Sequence, residues 1–579
     1  MLLLALALLV ASPEAELFED DITLPRDYTW TEFLSQLRDN PLDLNRATAA
    51  ELLQLPWLTP AMVRRLVARR VQVGRFRSIR ELTGIEGIDS SVVEEIQPYV
   101  RIVGRPSEAR TAEMVRVRND SLSRFRESAR YSLAERVQAD FGNLGLSLVS
   151  AKDVGERDAF DLLAGGLDYR GRQTRLAAGD FELQFGQGLV FSRPRSFWLS
   201  SNTLRLPNPT SLSLPGTFAE NTFLRGIALN QGIGPLSALV FLSRTRLDAR
   251  PNPDSTIQSI SYDGTHDDSA AIANKGRLLE LLAGARLGYR RPGFTVGLSG
   301  YANRYDRLIW SDSLGFQGRS LAVIASDLTW QQPNYYLLAE VAHSLNHGWA
   351  GGLDLFGDWT RLKTHLNLAY FARDFYSPHS RTRSLSRPHA ELDGTFRANY
   401  RWQVWTATIY GTTSRDFVLD SMPARLQLNI ENRTAPFRFA LQWQQSFKDE
   451  LARSMGTRLD ISWLPVHGLT FGFRFDDRFQ LAHPGERGIA YSLGAGIDRP
   501  RYSLDARVTR FLVANSECRV YAYEPGFPGN NRSYTGTGWR SYVAANVRML
   551  SWLSVNAKFG ITWQQAVNCD AGLSLSFRY

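Results

Sequence analysis

The sequence contains little cysteine and histidine, with 2 Cys and 8 His among 579 residues. The two cysteines, Cys518 and Cys569, form neither a Cys-x-x-Cys pair nor a Cys/His cluster, which excludes the usual structural zinc motifs. In an oxidising compartment they are a candidate disulfide pair. We therefore expect no metal and no cofactor.

Recognisable catalytic motifs are also missing, since the sequence contains no GxSxG, HExxH or P-loop pattern. We therefore expect a protein that is not an enzyme. Two polar stretches could bind an ion or supply an acid–base pair: "YDGTHDD" around His266 and "KDVGE" around Glu156. The first groups His266 with Asp263, Asp267 and Asp268, and a solvated loop is the favoured interpretation. A turn with a salt bridge is favoured for the second.

No internal run approaches the roughly 20 apolar residues that a spanning helix needs. The one continuous apolar run is "LLLALALLVAS" at 2–12, which is typical of a signal-peptide core and too short to cross a membrane. We predict a signal peptide over 1–15, with cleavage after Ala11 or Ala15, and hence an exported protein. A buried helix is the alternative.

Charge is only mildly biased, because 67 Lys+Arg against 58 Asp+Glu leave a net charge of +9. This excess is compatible with phosphate or acidic lipid partners but does not require them. Aromatic residues make up 11% of the chain, and there are 45 glycines. With a mean hydropathy of −0.25, this composition argues against a helical membrane protein.

Helix punctuation dominates residues 42–104, which follow a helical lead-in at 16–41. Ser/Thr-x-x-Glu capping boxes begin at Thr48, Ser78 and Ser91, and Thr59 precedes Pro60 at the first helical position. The last helix can be capped by Asp89, Ser90 or Ser91. One helix carries an apolar stripe, which consists of Met62, Val63, Leu66 and Val67. The pattern predicts a compact all-α module of four short helices.

The order "LDLNRATAAELLQLPWLTPAMVRRLVARRVQVGRFRSIRELTGIEGIDSSVVEEIQPYV" resembles the tandem helix-hairpin-helix domain of ComEA-like competence DNA receptors. The resemblance implies that backbone N–H groups at the hairpin turns hold DNA phosphates. The candidate phosphate contacts are Leu58, Thr59, Arg64, Arg65, Arg69, Arg70, Ile88 and Asp89. The family's Gly-hydrophobic-Gly turns are replaced here by Trp57-Leu58-Thr59 and Gly87-Ile88-Asp89, and this favours a structural or protein-facing role over DNA binding.

Beyond a linker at 105–126, residues 127–579 follow a period of two. "PFRFALQWQQ" and "LTFGFRFDDR" alternate apolar with polar or small residues, so one face can contact lipid and the other a lumen. Tight turns such as "YRRPGF" alternate with long polar loops such as 248–276, 376–388 and 525–537. We predict a mainly β protein: a large transmembrane antiparallel β-barrel of about 22–26 strands after the helical module.

The last residues, "AGLSLSFRY", alternate Leu573, Leu575, Phe577 and Tyr579. This ending is typical of the terminal strand that the outer-membrane barrel assembly machinery reads. Farther upstream, residues 191–220 are too long and apolar for a simple loop. We predict that this segment folds into the lumen.

The whole arrangement resembles a family of Gram-negative proteins that join a helix-hairpin-helix segment to an outer-membrane barrel. The matching stretches include "GDFELQFGQGLV", "ENTFLRGIAL" and "RVYAYEPGFPG". The resemblance implies an outer-membrane location with the helical module in the periplasm. We expect DNA binding, DNA uptake or transport, and alternatively an assembly- or secretion-associated barrel whose module docks a periplasmic protein. The expected partners are outer-membrane lipid, the assembly machinery, and either DNA or a periplasmic protein; no small-molecule substrate is indicated.

Overall fold

The computed structural model of the chain describes residues 37, 41–45, 47, 52–53, 55, 57–102, 110–119, 131–152, 156, 160–192, 211–216, 218, 223–261, 264, 266, 268–310, 316–359, 361–380, 390–417, 420–432, 436–448, 451–466, 468–499, 501–524, 530–550 and 552–578. The signal peptide expected over 1–15 lies outside these residues, as does nearly all of the lead-in at 16–41. Both stay predictions.

The helical module begins and ends on a short parallel ladder. Its elements are β1 (Leu42–Asp43), α1 (Pro60–Val73), a 3-10 helix (Ile79–Gly84), α2 (Ser90–Ile96), a 3-10 turn (Gln97–Tyr99) and β2 (Val100–Arg101). Leu42 pairs with Val100 and Asp43 with Arg101, so the two ends of the module meet. The predicted helix at "AAELLQL" lies largely outside the described residues.

The helix starts follow the capping signals with one correction. Thr59 caps α1 with Pro60 behind it, and the Ser78 box caps the first 3-10 helix. The cap of α2 is Asp89, whose side chain accepts from the Val92 N–H. Asp89 is thus the right one of the three candidate caps, and the box at Ser91 is wrong because Ser91 is already the second residue of α2.

One apolar cluster holds the module together. Met62, Val63 and Leu66 of α1 are fully buried, as the stripe predicts. They pack in one cluster with the other buried residues Leu44, Leu52, Leu55, Leu58, Phe76, Leu82, Ile85, Ile88, Val93, Ile96 and Tyr99. This continuous core gives the module its own hydrophobic centre, separate from the barrel.

The wall of the barrel starts earlier than expected. Its strands are β3 (Arg110–Asn119), β4 (Ser132–Phe141), β5 (Leu144–Lys152), β6 (Leu162–Arg170), β7 (Thr174–Gln184), β8 (Ser211–Ser213), β9 (Leu224–Ile233), β10 (Leu236–Pro251), β11 (Ile257–Ser261), β12 (Leu278–Arg291), β13 (Phe294–Ile309), β14 (Gly318–Gln331), β15 (Tyr335–Ser344), β16 (Trp349–Asp358), β17 (Leu362–Phe371), β18 (Glu391–Trp402), β19 (Trp405–Asp416), β20 (Pro423–Asn432), β21 (Phe437–Lys448), β22 (Leu451–Val466), β23 (Leu469–Gln480), β24 (Arg487–Arg499), β25 (Tyr502–Val513), β28 (Gly536–Leu550), β29 (Leu553–Trp563) and β30 (Val567–Arg578). Strand β3 lies within the predicted linker at 105–126, so the boundary at residue 127 is wrong. Charged residues crowd "RTAEMVRVRN", but a barrel wall tolerates charge at every second position.

The sheet closes on itself. Ala112 of β3 pairs with Arg578 of β30, and Asn119 pairs with Ala571. Among the described residues the closed sheet contains 26 strands, of which β8 and β11 are short additions beside β7 and β10; the other 24 form the wall. This confirms the predicted large antiparallel barrel.

The two ends of the barrel differ in their connections. At one end, the short-turn mouth, successive strands are joined by tight turns such as 292–293, 332–334 and 403–404. At the other, the long-loop rim, the connections include 185–223 and 252–277. The predicted loops at 248–276 and 525–537 are partly wrong, because the described residues there also form regular structure. These elements are β11, the helix α3 (Ser269–Asn274), β27 (Asn530–Tyr534) and the start of β28; β27 pairs with β26 (Val520–Glu524).

Side chains alternate between the outer and inner surfaces of the wall. On β12, Leu281 is 47% exposed on the outside, whereas the adjacent Glu280 is 1% exposed on the inside. On β24, Tyr491 and Leu493 are likewise exposed and Ser492 is buried. An apolar outer surface around a closed, polar interior is the pattern of a membrane-spanning barrel. Among the described helices, none is long and apolar enough to cross a membrane.

Residues 185–192 fold into the lumen. The inward-facing Glu340 accepts hydrogen bonds from the backbone N–H of Gln187 at 2.5 Å and of Leu189 at 3.2 Å. Phe191 packs against Tyr301 of β13, with ring centroids 5.0 Å apart. The start of the segment predicted to enter the lumen, 191–220, thus lies inside the barrel.

The later part of that segment is also inside. The inward-facing Ser147 donates to the Pro215 carbonyl at 2.5 Å, and Arg136 donates to the Gly216 carbonyl at 3.2 Å. Residues 193–210 lie outside the described part of the chain. Residues 185–192 and 211–216 are together called the inner segment.

The Glu340 carboxylate should hold the inner segment in place. We expect Glu340→Ala to strand the buried N–H groups of Gln187 and Leu189, at about 1–3 kcal/mol for each unsatisfied group. Its thermal unfolding in detergent should shift downward and its single-channel conductance should rise. Glu340→Gln keeps an acceptor oxygen and should change the unfolding temperature and the conductance less. Wild-type melting and conductance in Glu340→Ala would contradict this role.

Candidate functional site: the helical module on the barrel mouth

The first hairpin turn of the module is bonded to the barrel. The Thr59 hydroxyl accepts from the Met62 N–H at 3.2 Å, which caps α1, and donates to Asp358 Oδ2 at 2.8 Å. Asp358 ends β16 on the inward-facing side, and it is paired in register with Lys363 of β17. Thr59 is 3% and Asp358 8% exposed, so the bond lies in a closed contact at the short-turn mouth.

One turn along α1, Arg64 contacts the same mouth. Its guanidinium donates to the carbonyl of Gln332 at 2.7 Å and of Pro333 at 2.6 Å, both in the tight turn between β14 and β15. Burial lowers the pKa of Arg64, and the Arg65 charge adds to that shift, while Asp358 opposes it. Two carbonyl oxygens of the short-turn mouth thus take the place of water around the Arg64 guanidinium.

The second hairpin turn faces the mouth through Asp89. One carboxylate oxygen caps α2 at the Val92 N–H, and the other lies 2.6 Å from Arg401 near the end of β18. A looser pair joins Glu94 and Arg438 at 4.0 Å. Both hairpin turns therefore contact the barrel, and the contacts extend along the short-turn mouth from the β14–β15 turn to β21.

An anion already lies at the start of α1. The N-terminus of a helix attracts negative charge because its first N–H groups lack internal partners. The Asp358 carboxylate is bonded to the Thr59 cap and therefore lies beside the start of α1. At α2 the Asp89 carboxylate supplies the negative charge itself.

The other predicted phosphate contacts do not form one basic surface. Leu58 and Ile88 are buried in the module core. Arg65 donates to the Glu86 carbonyl at 3.1 Å, and Arg70 donates to the carbonyls of Leu44 and Ala47 at 2.9 and 2.8 Å. Arg69 is exposed. The structure thus brings Thr59, Arg64 and Asp89 together against the barrel, and DNA contact by the set stays a prediction.

Sequence reasoning missed the barrel half of this interface. The turn "QQPNYY" is recognisable as a tight turn, but nothing local indicates that its carbonyls accept from Arg64. Asp358 and Arg401 read as ordinary strand-end charges. The replacement of the turn glycines by Thr59 and Asp89 is the one available signal, since it argues for a protein contact.

The remaining predicted site residues lie elsewhere. The C-terminal set is on β30, where Leu573 is exposed and Leu575 and Phe577 are half-buried; Tyr579 lies outside the described residues. Reading of these residues by the assembly machinery stays a prediction. The candidate disulfide is wrong for this structure, because Cys518 and Cys569 are free thiols. Cys518 donates through Sγ to the Glu486 carbonyl at 3.2 Å instead.

The polar stretch around His266 is not the solvated loop that we expected. His266 is 4% exposed, and its ring contacts Asp161 and Asp248. Of its predicted neighbours, Asp263 and Asp267 lie outside the described residues, and Asp268 caps α3. Asp161 lies in the connection after β5 and Asp248 lies on β10, so sequence proximity pointed to the wrong carboxylates.

Comparison with known proteins supports the two-part architecture. Residues 39–101 match the family model described as a helix-hairpin-helix motif. The chain joins a helix-hairpin-helix module to an outer-membrane-type β-barrel. Among curated proteins, "Endonuclease/exonuclease/phosphatase family domain-containing protein 1" of Xenopus laevis is 36% identical over 90 residues. That alignment covers the helix-hairpin-helix region, and it spans 15% of this chain and only 16% of the relative.

Solved structures similar to the chain are barrels of low sequence identity. The P pilus usher PapC translocation pore has a TM-score of 0.39 and 9% identity, with 81% of this chain and 99% of that chain covered. The siderophore receptor PirA of Pseudomonas aeruginosa has a TM-score of 0.40 and 10% identity, with 83% and 82% covered. The copper transporter OprC has a TM-score of 0.40 and 7% identity, with 83% and 84% covered.

The bond between Thr59 and Asp358 can be separated from helix capping. Asp358→Ala removes the docking bond and leaves the cap, so we expect the module to be released faster by trypsin under native conditions. Thr59→Val removes both and should be released faster still, since a lost cap costs about 1 kcal/mol. Thr59→Ser keeps the hydroxyl and should behave as wild type. Equal release rates for all four proteins would refute the docked arrangement.

Proposed function

We propose that this protein is an outer-membrane transport barrel whose short-turn mouth is closed by the helix-hairpin-helix module until a periplasmic partner displaces it. The observation that carries the proposal is the attachment of both hairpin turns to the mouth, through Thr59–Asp358 and Asp89–Arg401. The turns that would recognise a partner are the ones that hold the module down. Partner binding and docking of the module on the mouth therefore compete for the same side chains.

The orientation follows from the connections. Outer-membrane barrels place short turns in the periplasm and longer loops outside the cell. By this rule the short-turn mouth, and with it the helical module, faces the periplasm. The signal-peptide-like start and the aromatic C-terminal strand support export and assembly in the same membrane.

The described polar contacts suit reversible docking. The Asp89–Arg401 pair is exposed, and such pairs contribute about 0.2–1 kcal/mol. A hydrogen bond to a charged group, such as Thr59–Asp358, contributes about 1.5–3 kcal/mol. A partner that binds the free module a few kcal/mol more tightly than the docked one would shift the population toward the open mouth.

DNA uptake is the second candidate. The Asp358 carboxylate at the start of α1 favours it, because a DNA phosphate could take the place of that anion. Arg69 is exposed, and Arg64 would become available to bind a phosphate once the module leaves the short-turn mouth. The rival is a periplasmic protein with an acidic face, which would leave the barrel in a secretion or assembly role.

Opening can be tested at the Asp89–Arg401 pair. We expect Arg401→Ala to raise the open probability or conductance in planar bilayers, because one of the described module contacts is lost. Arg415 is the matched control: it is 52% exposed against 54% for Arg401, and it pairs with Asp420 at the long-loop rim. Arg415→Ala should conduct as wild type. Asp89→Asn keeps an oxygen that can accept from the Val92 N–H and removes the negative charge, so it should open the mouth as Arg401→Ala does.

If Arg401→Ala and Arg415→Ala both conduct as the wild-type protein does, the gate is not at this interface. An Asp89→Asn variant that conducts as the wild-type protein does while Arg401→Ala conducts more strongly would also count against a direct contact.

DNA binding is tested on the full chain in detergent. Duplex DNA should be retained more strongly by Asp358→Ala than by wild type, because the variant frees the first hairpin turn. Retention should weaken as salt is added. The logarithm of the binding constant should fall with the logarithm of the salt concentration, with a slope of roughly −0.9 for each phosphate contact. Changing Arg64, Arg65, Arg69 and Arg70 to Ala in the Asp358→Ala background should flatten that slope. No retention at low salt by any of these proteins would remove the DNA candidate and leave the protein-docking one.

A further inference from the structure

A buried histidine lies among carboxylates at the long-loop rim. His266 Nδ1 contacts Asp161 Oδ2, and its Nε2 lies 3.0 Å from Asp248 Oδ2. Glu156 Oε1 accepts from the His266 backbone N–H at 2.8 Å and lies 3.9 Å from Nδ1. The side chains of His266, Glu156 and Asp161 are each at most 5% exposed.

Asp161 and Asp248 are each held in place by a second contact. Lys275 Nζ contacts Asp161 Oδ1, which leaves Oδ2 directed at the ring. The Gly276 N–H donates to Asp248 Oδ1 at 2.7 Å, which leaves Oδ2 directed at Nε2. The acceptors around the imidazole are therefore preorganised by the surrounding loops.

This arrangement leaves one ring nitrogen that faces oxygen acceptors. A neutral imidazole carries one N–H and one lone pair. If Nε2–H donates to Asp248, the Nδ1 lone pair points at the oxygens of Asp161 and Glu156. Three electron-rich atoms facing each other require a shared cation or an extra proton.

These atoms lie close enough together to share a metal ion. The candidate ligand atoms of Glu156, Asp161 and His266 all lie within 4.8 Å of one another, and a small shift of Asp161 Oδ2 away from Nδ1 would make room for the ion. One histidine nitrogen with carboxylate oxygens is a ligand set that Zn²⁺ accepts, at about 2.0–2.2 Å per bond. A metal-bound histidine commonly donates its other N–H to a carboxylate, which fixes the tautomer. Asp248 has that position.

We propose that His266 Nδ1, Asp161 and Glu156 bind a divalent transition metal of the Zn²⁺ class, with Asp248 as a positioning residue. The ligands come from the connection after β5, which supplies Glu156 and Asp161, and from the connection after β11, which supplies His266. Asp248 lies on β10. The metal would crosslink loops that are far apart in sequence and stiffen the long-loop rim.

The test uses the full chain, stripped with a chelator and titrated with Zn²⁺ by calorimetry in detergent. Wild type should bind one equivalent with a rise in the unfolding temperature. His266→Ala and Asp161→Asn should each abolish this binding, and Asp248→Asn should weaken it by about 10- to 100-fold, the usual effect of losing a carboxylate behind a ligand. His483→Ala, which removes an exposed histidine from another loop of the same rim, should bind as wild type.

Titration with Co²⁺ adds a spectroscopic readout. The visible d–d absorption bands of Co²⁺ bound to a histidine nitrogen should appear in wild type and in His483→Ala. They should be absent from Asp161→Asn. The proposal is overturned if wild type takes up no more Zn²⁺ than His266→Ala does. It is equally overturned if the only effect of the variants is on the pH dependence of unfolding, since an imidazolium held by Asp161 and Asp248 would then account for the cluster.

Discussion

The structure depends on closure of the sheet, because lipid offers no hydrogen-bond partner to an open strand edge. The chain meets this constraint by pairing its first wall strand with its last, from Ala112↔Arg578 to Asn119↔Ala571. Arg110 begins β3 opposite Asp140, next to the tight turn at 142–143. Closure therefore fixes the entry point of the wall at the short-turn mouth.

That entry point determines where the helical module can lie. Only residues 102–109 separate β2 from β3, so the module is tethered within reach of the mouth. A short tether gives a high effective concentration, and weak contacts such as Asp89–Arg401 then suffice to keep the module docked. Inside the barrel, the inner segment fills part of the lumen. The proposed gate thus requires no strong interface, only a short connection and a few well-placed polar groups.

Local patterns predicted most of the fold and little of the site. The alternation in "LTFGFRFDDR" predicts a strand, which is β23, and Thr59 before Pro60 predicts the cap of α1. Both predictions are confirmed because each signal acts within one element. The strand at Arg110–Asn119 was missed because four of its ten residues are charged, which hides the apolar alternation of the later strands. Asp358 and the carboxylates around His266 were missed for another reason: their contacts join residues that are far apart in sequence and meet only in the tertiary fold.

The docked module is the central claim, and crosslinking tests it most directly. With Cys518 and Cys569 changed to Ser, cysteines at Glu94 and Arg438, whose side chains lie 4.0 Å apart, leave the Thr59–Asp358 and Asp89–Arg401 contacts intact. A short bis-thiol reagent should join them within one chain, as mapped by mass spectrometry. Cysteines at Glu94 and Asp420, which lies at the long-loop rim, should remain unlinked. Equal yields from the two pairs, or no link between the first pair in folded protein, would contradict the account.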